Sequence, residues 1–293
     1  MNPELLSHLS AAIRDATQRP FEMRNATPVG GGCINRAYRL EETDGSRYFV
    51  KLNDARHLPM FIAEAAGLEA IAATHTLRVP LPIAHGSANA HSFLVLEHLE
   101  LGSRGNARLL GAQLAALHRC TGKKFGFSQD NFIGTTPQPN GWKDSWIDFW
   151  REQRLGFQLR LAAQHGDRLQ TLGEKLLDAL PAFFAGYSSQ PALLHGDLWS
   201  GNHAFLADGT PVIFDPAPYY GDRECDLAMT ELFGGYPADF YAAYRTSYPL
   251  DAGYAVRREL YNLYHILNHA NLFGGGYARQ AEGIMQRLLG NVA

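Results

Sequence analysis

Residues 194–216 hold three aspartates and one asparagine between apolar runs. Asp197 lies five residues before Asn202, and Asp215 follows Asn202 by thirteen residues. Phosphoryl transfer needs a divalent cation that bridges phosphates and a group that accepts or orients the proton of the attacking hydroxyl. Mg²⁺ is usually held by one or two carboxylates together with phosphates and water. The spacing therefore predicts Asp197 as the catalytic base and Asn202 and Asp215 as ligands of Mg²⁺.

The remaining aspartate of this stretch, Asp208, has a simpler explanation. It precedes Gly209, and an Asp-Gly pair between short apolar segments is typical of a tight turn. The flanking segments HAFL and PVIFD are predicted as short strands, and the second delivers Asp215 at its end.

Groups that could bind the phosphates of ATP occur in the first hundred residues. Three successive glycines in VGGGCINRAYRL precede a predicted strand, and glycine lets the backbone approach phosphates closely. Lys51 lies at the end of another strand, YFVKL, where a lysine can reach the α and β phosphates. We predict ATP contacts at Lys51 and at the glycine turn, which comprises Gly30, Gly31 and Gly32.

The partner of Lys51 is expected on the helix that follows, FIAEAAGLEAI. Glu64 and Glu69 are both candidates, and we favour Glu64 because its surroundings are more apolar. Kinases pair a strand lysine with a helical glutamate in this way. Backbone groups at the end of FLVLEHL could bind the edge of adenine, at positions Leu96, Glu97, His98 and Leu99.

The surrounding pattern predicts a two-lobed α+β chain. Residues 3–18 have the periodicity of an amphipathic helix, and TDGS between AYRLEE and RYFVKL is a strong hairpin signal. One main helix is expected over residues 59–73, followed by two more strands. Beyond residue 100 the apolar periodicity is mostly helical. We predict an N-terminal lobe, 1–99, built on a small antiparallel sheet, and a larger helical C-terminal lobe, 100–293, that carries the catalytic loop.

Composition narrows the class of protein. The net charge is −3 over 293 residues, so no overall basic field favours nucleic acid or an anionic membrane surface. The three cysteines, Cys33, Cys120 and Cys225, are widely spaced, which argues against a disulfide framework or a thiolate zinc site. The N-terminal residues lack the apolar core of a signal peptide, and no apolar run approaches about eighteen residues. A cytoplasmic protein without nucleic-acid or membrane partners is expected.

The motifs together resemble the protein-kinase-like superfamily. H-G-D stands at 195–197 in place of H-R-D, D-P-A stands at 215–217 in place of D-F-G, and no A-P-E segment follows. These departures resemble the small-molecule phosphotransferases of the aminoglycoside phosphotransferase and choline kinase branch. A closer similarity, over about residues 20–290, is to the fructosamine kinase family, the ketosamine or ribulosamine 3-kinases. It is carried by LLHGDLWSGN, FDPAPYYGDRECDLAM, GGGCIN, NFIGTTPQPN, FWREQRLGFQL and LYHILNHANLFGGGY.

The resemblance implies a two-lobed protein-kinase-like fold and phosphorylation by ATP of the 3-hydroxyl of a ketosamine, a sugar adduct of an amine. The 3-phosphate would then be eliminated and the amine freed, which amounts to deglycation of protein lysines or small amines. The resemblance also implies that Asp197 is the base, that Asn202 and Asp215 hold Mg²⁺, and that Lys51, oriented by Glu64, contacts the phosphates.

Several residues near these motifs could contact the substrate or serve only the structure. Trp199 could stack on the sugar, because an aromatic ring offers a flat apolar face to C–H groups, or it could pack under the loop. Arg223 and Asp226, in GDRECDLAM, are expected at a helix N-terminus that braces the catalytic loop. Trp142 and Trp146 are expected in the core.

Cys33 in the glycine turn carries a redox hypothesis. Backbone N–H groups and Lys51 could favour its thiolate, and oxidation there would obstruct ATP. The protein is accordingly expected as a monomer or as a Cys33-linked dimer. The alternative is a small side chain tolerated in a tight turn.

Two other functions are compatible with the sequence. A kinase for another small hydroxyl compound, of aminoglycoside or choline type, would use the same groups. A catalytically silent nucleotide-binding scaffold belongs to a different class, and the presence of Lys51, Asp197, Asn202 and Asp215 argues against it. Ribose-derived and glucose-derived ketosamines fit the motifs equally well.

Overall fold

A computed structural model describes residues 3–30 and 34–292. The first elements are α1 (Pro3–Thr17), β1 (Met23–Val29), β2 (Arg36–Glu42), β3 (Arg47–Asp54), α2 (Leu58–Ala72), β4 (Pro82–Ala88) and β5 (His91–Glu97). They are followed by α3 (Ala107–Leu117), β6 (Asn131–Ile133), β7 (Thr136–Gln138), α4 (Trp146–Phe149), α5 (Gly156–Leu161), α6 (Asp167–Phe183), β8 (Ala192–Leu193), β9 (His203–Phe205), β10 (Pro211–Ile213), β11 (Tyr220–Gly221), α7 (Glu224–Leu232), α8 (Ala238–Ser247), α9 (Tyr254–Phe273) and α10 (Tyr277–Asn291). The predicted α+β class is confirmed.

Contacts within the chain group its residues into two compact units. The first comprises Met1–Asn106 and Ala204–Asp215, and the second comprises Ala107–His203 and Pro216–Ala293. Residues 204–215 come from the sequence assigned to the C-terminal lobe, yet they pack with the first unit. Gly102 and Phe205 exchange two backbone hydrogen bonds, of 2.8 and 2.9 Å. The lobe boundary at residues 99 and 100 stays a prediction.

The first unit is built on a five-stranded antiparallel sheet with the order β1-β2-β3-β5-β4. The predicted TDGS hairpin joins β2 and β3. Three residues of α1, namely Leu5, Leu9 and Ile13, pack in one cluster with Val50 and Leu52 of β3. Because side chains alternate along a strand, the residue between Val50 and Leu52 projects to the opposite face of the sheet. That residue is Lys51.

The second unit is mostly helical. Helix α3 packs against α8, and α9 packs against α7 and α10. A π-helical turn, Trp150–Leu155, connects α4 to α5. No helix within residues 3–30 and 34–292 is long and apolar enough to cross a membrane.

The two tryptophans that precede this π-helical turn have different environments. Trp146 is 4% exposed, and its indole N–H donates to Tyr261 Oη at 3.1 Å, so its predicted core position is confirmed. The same prediction is wrong for Trp142, which is 48% exposed. Trp142 precedes α4 in an extended segment, where Lys143 pairs with Phe125 through two backbone hydrogen bonds. The buried face of the helix begins only at Trp146.

Candidate active site

Lys51 and its predicted partner Glu64 are in contact in the first unit. Lys51 Nζ lies 2.6 Å from Glu64 Oε1 and 2.5 Å from Asp215 Oδ1. The side chains of Lys51 and Glu64 are 8% and 14% exposed, whereas that of Asp215 is 47% exposed. The three residues form an ionic cluster in which Asp215 is the member that faces solvent.

The charges of the ionic cluster determine its protonation. Burial alone would lower the pKa of Lys51, but the carboxylates of Asp215 and Glu64 outweigh burial and hold that pKa above its usual range. Burial raises the pKa of Glu64, and the charge of Lys51 opposes that rise. Lys51 therefore stays protonated at neutral pH, as a side chain that binds phosphate must.

Helix geometry explains why Glu64, and not Glu69, reaches Lys51. At about 100° of rotation per residue, five residues turn a side chain well away from its starting direction. Glu64 lies between Ala63 and Ala65, which are buried, and Glu69 is exposed.

Asp215 follows β10, whose three residues are all buried. Its backbone has φ +58°, in the left-handed region, which aspartate adopts more readily than most residues. The strand therefore fixes the position of Asp215, and the change of backbone conformation redirects its side chain towards Lys51.

The catalytic loop of the second unit, residues 195–202, holds Asp197 close to Asn202. Asn202 Nδ2 donates to the carbonyl oxygen of Asp197 at 2.8 Å and lies 3.5 Å from Asp197 Oδ2. The Asp197 N–H donates to His195 Nδ1 at 3.3 Å, a further contact within the H-G-D motif. The Asp-x-x-x-x-Asn spacing thus lets one short loop present both a carboxylate and an amide.

Asp226 braces this loop from α7, as expected from the sequence. Its carboxylate accepts the backbone N–H groups of His195 at 2.7 Å and Gly196 at 2.8 Å. His118 Nε2 lies 3.1 Å from Asp226 Oδ2, and Tyr244 Oη lies 2.8 Å from His118 Nδ1. Burial opposes the ionised form of Asp226, but the contacts with His118 and the loop lower its pKa below the usual value.

Gly196 explains the departure from H-R-D. Its φ is +83°, and a Cβ there would lie 2.0 Å from the carbonyl oxygen of Ala217. That oxygen belongs to a backbone segment fixed against the loop, since the Ala217 N–H donates to the carbonyl oxygen of His195 at 2.9 Å. Only glycine fits this position.

The predicted adenine contacts lie at the end of β5. The Glu97 N–H donates to the carbonyl oxygen of Leu81 at 2.9 Å, so it is already occupied. The Glu97 carboxylate accepts the Leu81 N–H and a bond from Arg78. Leu96 is a buried member of β5, while His98 and Leu99 follow the strand. Adenine binding at these four positions stays a prediction.

The glycine turn is described only at its first residue. Gly30 is exposed, and no atom lies within 4 Å of a Cβ built on it. Gly31, Gly32 and Cys33 lie outside the described residues. The predicted phosphate contact of this turn and the redox hypothesis for Cys33 therefore stay predictions.

Two amide side chains of the segment NFIGTTPQPN, residues 131–140, have a role that was not predicted from the sequence. Asn131 Nδ2 donates to the carbonyl oxygen of Pro218 at 2.8 Å, and Gln138 Nε2 donates to that of Ala217 at 3.1 Å. Both side chains are buried. They fix the segment that directly follows Asp215. This segment is one of those that carry the resemblance to the family, and its two amides could therefore have been considered as candidate site residues.

The donor set fits a hard divalent cation that also binds phosphates. No three His, Cys, Asp or Glu side chains cluster as a metal site among residues 3–30 and 34–292. Mg²⁺ needs fewer protein ligands when phosphates supply the others. Asp215 offers an exposed carboxylate, and Asn202 directs its NH₂ at Asp197, which turns its amide oxygen the other way. Each of the two offers an oxygen of the kind that Mg²⁺ binds, and their joint role as its ligands stays a prediction.

Two solved structures illustrate the similarity of the fold. A protein from Haemophilus somnus, assigned as a fructosamine-3-kinase, is 29% identical, covers 96% of each chain and gives a TM-score of 0.87. An ADP-bound aminoglycoside phosphotransferase, 13% identical, covers 99% of this chain and 97% of its own with a TM-score of 0.63. The second likeness shows the fold alone, and the predicted protein-kinase-like fold is confirmed.

Curated relatives are similar over nearly the whole chain. A protein of Synechocystis sp. named "Probable ketoamine kinase" is 52% identical over 285 residues, which are 96% of each chain. The chloroplastic protein-ribulosamine 3-kinase of Arabidopsis thaliana is 46% identical and covers 89% of this chain and 81% of its own. The family model for fructosamine kinase matches residues 5–291. The chain belongs to the fructosamine kinase family.

Proposed function

We propose that this protein is an ATP-dependent kinase that phosphorylates the 3-hydroxyl of ketosamines and so leads to deglycation of amines. The observation that carries the proposal is the pairing of a buried, protonated Lys51 with both Glu64 and Asp215. This pairing is the arrangement that kinases use to hold the phosphates of ATP and the metal. The family match and the named ketosamine-type relatives support the choice of acceptor.

We assign the roles as the sequence motifs predict them. Lys51 binds the phosphates, Glu64 orients Lys51, and Asp215 and Asn202 hold Mg²⁺. When bound, Mg²⁺ would neutralise charge that develops on the phosphates. Asp197 accepts the proton of the 3-hydroxyl as its oxygen forms a bond to the γ-phosphorus and the bond to ADP breaks. The 3-phosphate formed in this way is then eliminated, and the amine is released.

The acceptors are proposed to be ketosamines on lysine or on small amines. Trp199, two residues after Asp197 and 39% exposed, is the proposed contact for the sugar. A monomer and a cytoplasmic location stay predictions, and the plant relative is named as a chloroplastic protein.

The direct test is ADP release from Mg-ATP with ribulose-lysine and with fructose-lysine as acceptors. We expect turnover on at least one, and the ratio of the two kcat/KM values gives the sugar preference. Phosphorus NMR of the product should place the phosphate on the oxygen of C3. Turnover on an aminoglycoside or choline, with none on either ketosamine, would contradict the proposal.

A further inference from the structure

Trp199 directly precedes a 3₁₀ turn, Ser200–Asn202, and four hydrogen bonds hold this part of the loop. The carbonyl oxygen of Trp199 accepts the Tyr236 hydroxyl at 3.2 Å and the Asn202 N–H at 3.0 Å. The Trp199 N–H donates to the carbonyl oxygen of Asp197 at 3.1 Å, and Ser200 Oγ donates to that of Phe233 at 2.9 Å. The main chain that carries the indole is therefore fixed relative to the catalytic loop.

The indole itself rests on Gly201. A Cβ built on Gly201 would lie 2.1 Å from Cη2, 2.3 Å from Cζ2 and 2.6 Å from Cζ3 of Trp199. The six-membered ring thus fills the space that any side chain at position 201 would occupy. The indole is nevertheless 39% exposed, so one part of the ring packs on the loop and another part is open to solvent.

The backbone of Gly201 does not itself require glycine. Its φ lies outside the left-handed region, and the three nearest atoms all belong to the end of one side chain. At Gly196 the obstacle is a backbone carbonyl, whereas at Gly201 it is a ring that can rotate away. An alanine at 201 would therefore move the indole and leave the main chain in place.

We propose that Gly201 is a positioning residue for the acceptor: its missing side chain makes the seat that holds the Trp199 indole in position to stack on the C–H face of the ketosamine sugar. This inference rests on the proposed function. A ring held in place before binding needs no ordering when the sugar arrives, so the seat contributes to acceptor affinity.

The test compares Gly201→Ala, Trp199→Ala, the double variant and Gly290→Ala by steady-state kinetics on ribulose-lysine. Gly290 is the matched control, since it lies on α10 with no atom within 4 Å of a Cβ. We expect Gly201→Ala to raise the KM for the ketosamine roughly two- to tenfold, the range for loss of one aromatic stacking contact. The KM for ATP should stay unchanged. The melting temperature should stay unchanged or rise slightly.

The double variant separates positioning from a general structural effect. If Gly201 acts through the indole, adding Gly201→Ala to Trp199→Ala should change nothing further, because no ring is left to displace. Additive losses, or a Gly201→Ala enzyme that matches the wild type, would overturn the inference. So would a double variant that fails to fold, because the obstacle would then be the backbone.

The two proposals fail in different ways. Absence of ketosamine turnover in the wild type contradicts the proposed function. Wild-type turnover with an unchanged ketosamine KM in Gly201→Ala contradicts only the role of Gly201.

Discussion

The ionic cluster of Lys51, Glu64 and Asp215 and the catalytic loop around Asp197 hold their functional groups by different means. In the ionic cluster, two carboxylates share one ammonium group, and Asp215 is about half exposed. The loop is held by a buried carboxylate of α7, Asp226, which accepts two backbone N–H groups of the loop and contacts His118.

The difference corresponds to what each region must do in phosphoryl transfer. Ion pairs lack a fixed geometry, so Asp215 can give up Lys51 when a cation and phosphates arrive. Backbone N–H groups cannot move without unfolding the loop, so Asp197 keeps its position throughout. The ionic cluster is held by ion pairs, whereas the loop is held by charge-assisted hydrogen bonds from its backbone N–H groups to Asp226.

The largest effect on activity is expected at Asp197, the predicted base. Asp197→Asn should lower kcat by about a thousandfold, because a general base contributes on that scale, while the affinity for ATP is kept. ADP release and a thermal shift with Mg-ATP measure the two effects. Asp208→Asn, which alters only a turn, is the control. Comparable losses in both variants would remove Asp197 from the chemistry.

Loss of the Lys51 ammonium group should lower kcat/KM for ATP more than kcat/KM for the acceptor. Lys51→Met should lower kcat/KM for ATP by roughly a hundredfold, as expected when one charged donor to a transferring phosphoryl group is lost. Lys124→Met removes an exposed ion pair with Asp144 and should have no such effect. An unchanged kcat/KM for ATP in Lys51→Met would mean that the ionic cluster is structural only.

The brace of the loop should appear in stability and in its dependence on pH. Asp226→Asn should lower the free energy of unfolding by about 2 kcal/mol, since it weakens hydrogen bonds to a charged group. The folded pKa of Asp226 is below the usual 3.8, so its contribution is present above that pH and is lost as pH falls through the lower folded value.

Melting temperatures between pH 3 and pH 7 test this prediction. The wild type should lose stability at the acid end, and Asp226→Asn should lose less over the same range. Asp239→Asn, at an exposed position of α8, is the matched control. Parallel curves for wild type and Asp226→Asn would show that the brace does not depend on charge.

The smallest effect is expected at the residue that orients Lys51. Glu64→Gln keeps a hydrogen-bond acceptor but removes one of two charges, and we expect about a tenfold fall in kcat/KM for ATP. Glu69→Gln, on the same helix and exposed, should match the wild type. Equal effects of the two substitutions would contradict the pairing.

Short-range patterns made much of the fold predictable. The TDGS hairpin, the main helix of the first unit and the Asp208 turn each depend on neighbouring residues, and all three are present. The choice of Glu64 over Glu69 was also local, because apolar neighbours mark the buried face of a helix.

Contacts between distant parts of the chain were not predictable in this way. Asn131 and Gln138 reach carbonyl groups 87 and 79 residues away, and His118 reaches Asp226 across 108 residues. Nothing local distinguishes such amides and imidazoles from surface residues. The prediction for Trp142 was wrong for the converse reason. Its apolar character suggested burial, but its position before α4 leaves it exposed.

The absence of a side chain at Gly196 has a consequence for regulation. In kinases that are switched by phosphorylation, arginine pairs with the phosphate that orders the activation loop. Here a close carbonyl excludes arginine from the H-x-D motif, and the amides of Asn131 and Gln138 already fix the segment after Asp215. We expect an enzyme whose catalytic loop, once folded, needs no activating phosphorylation.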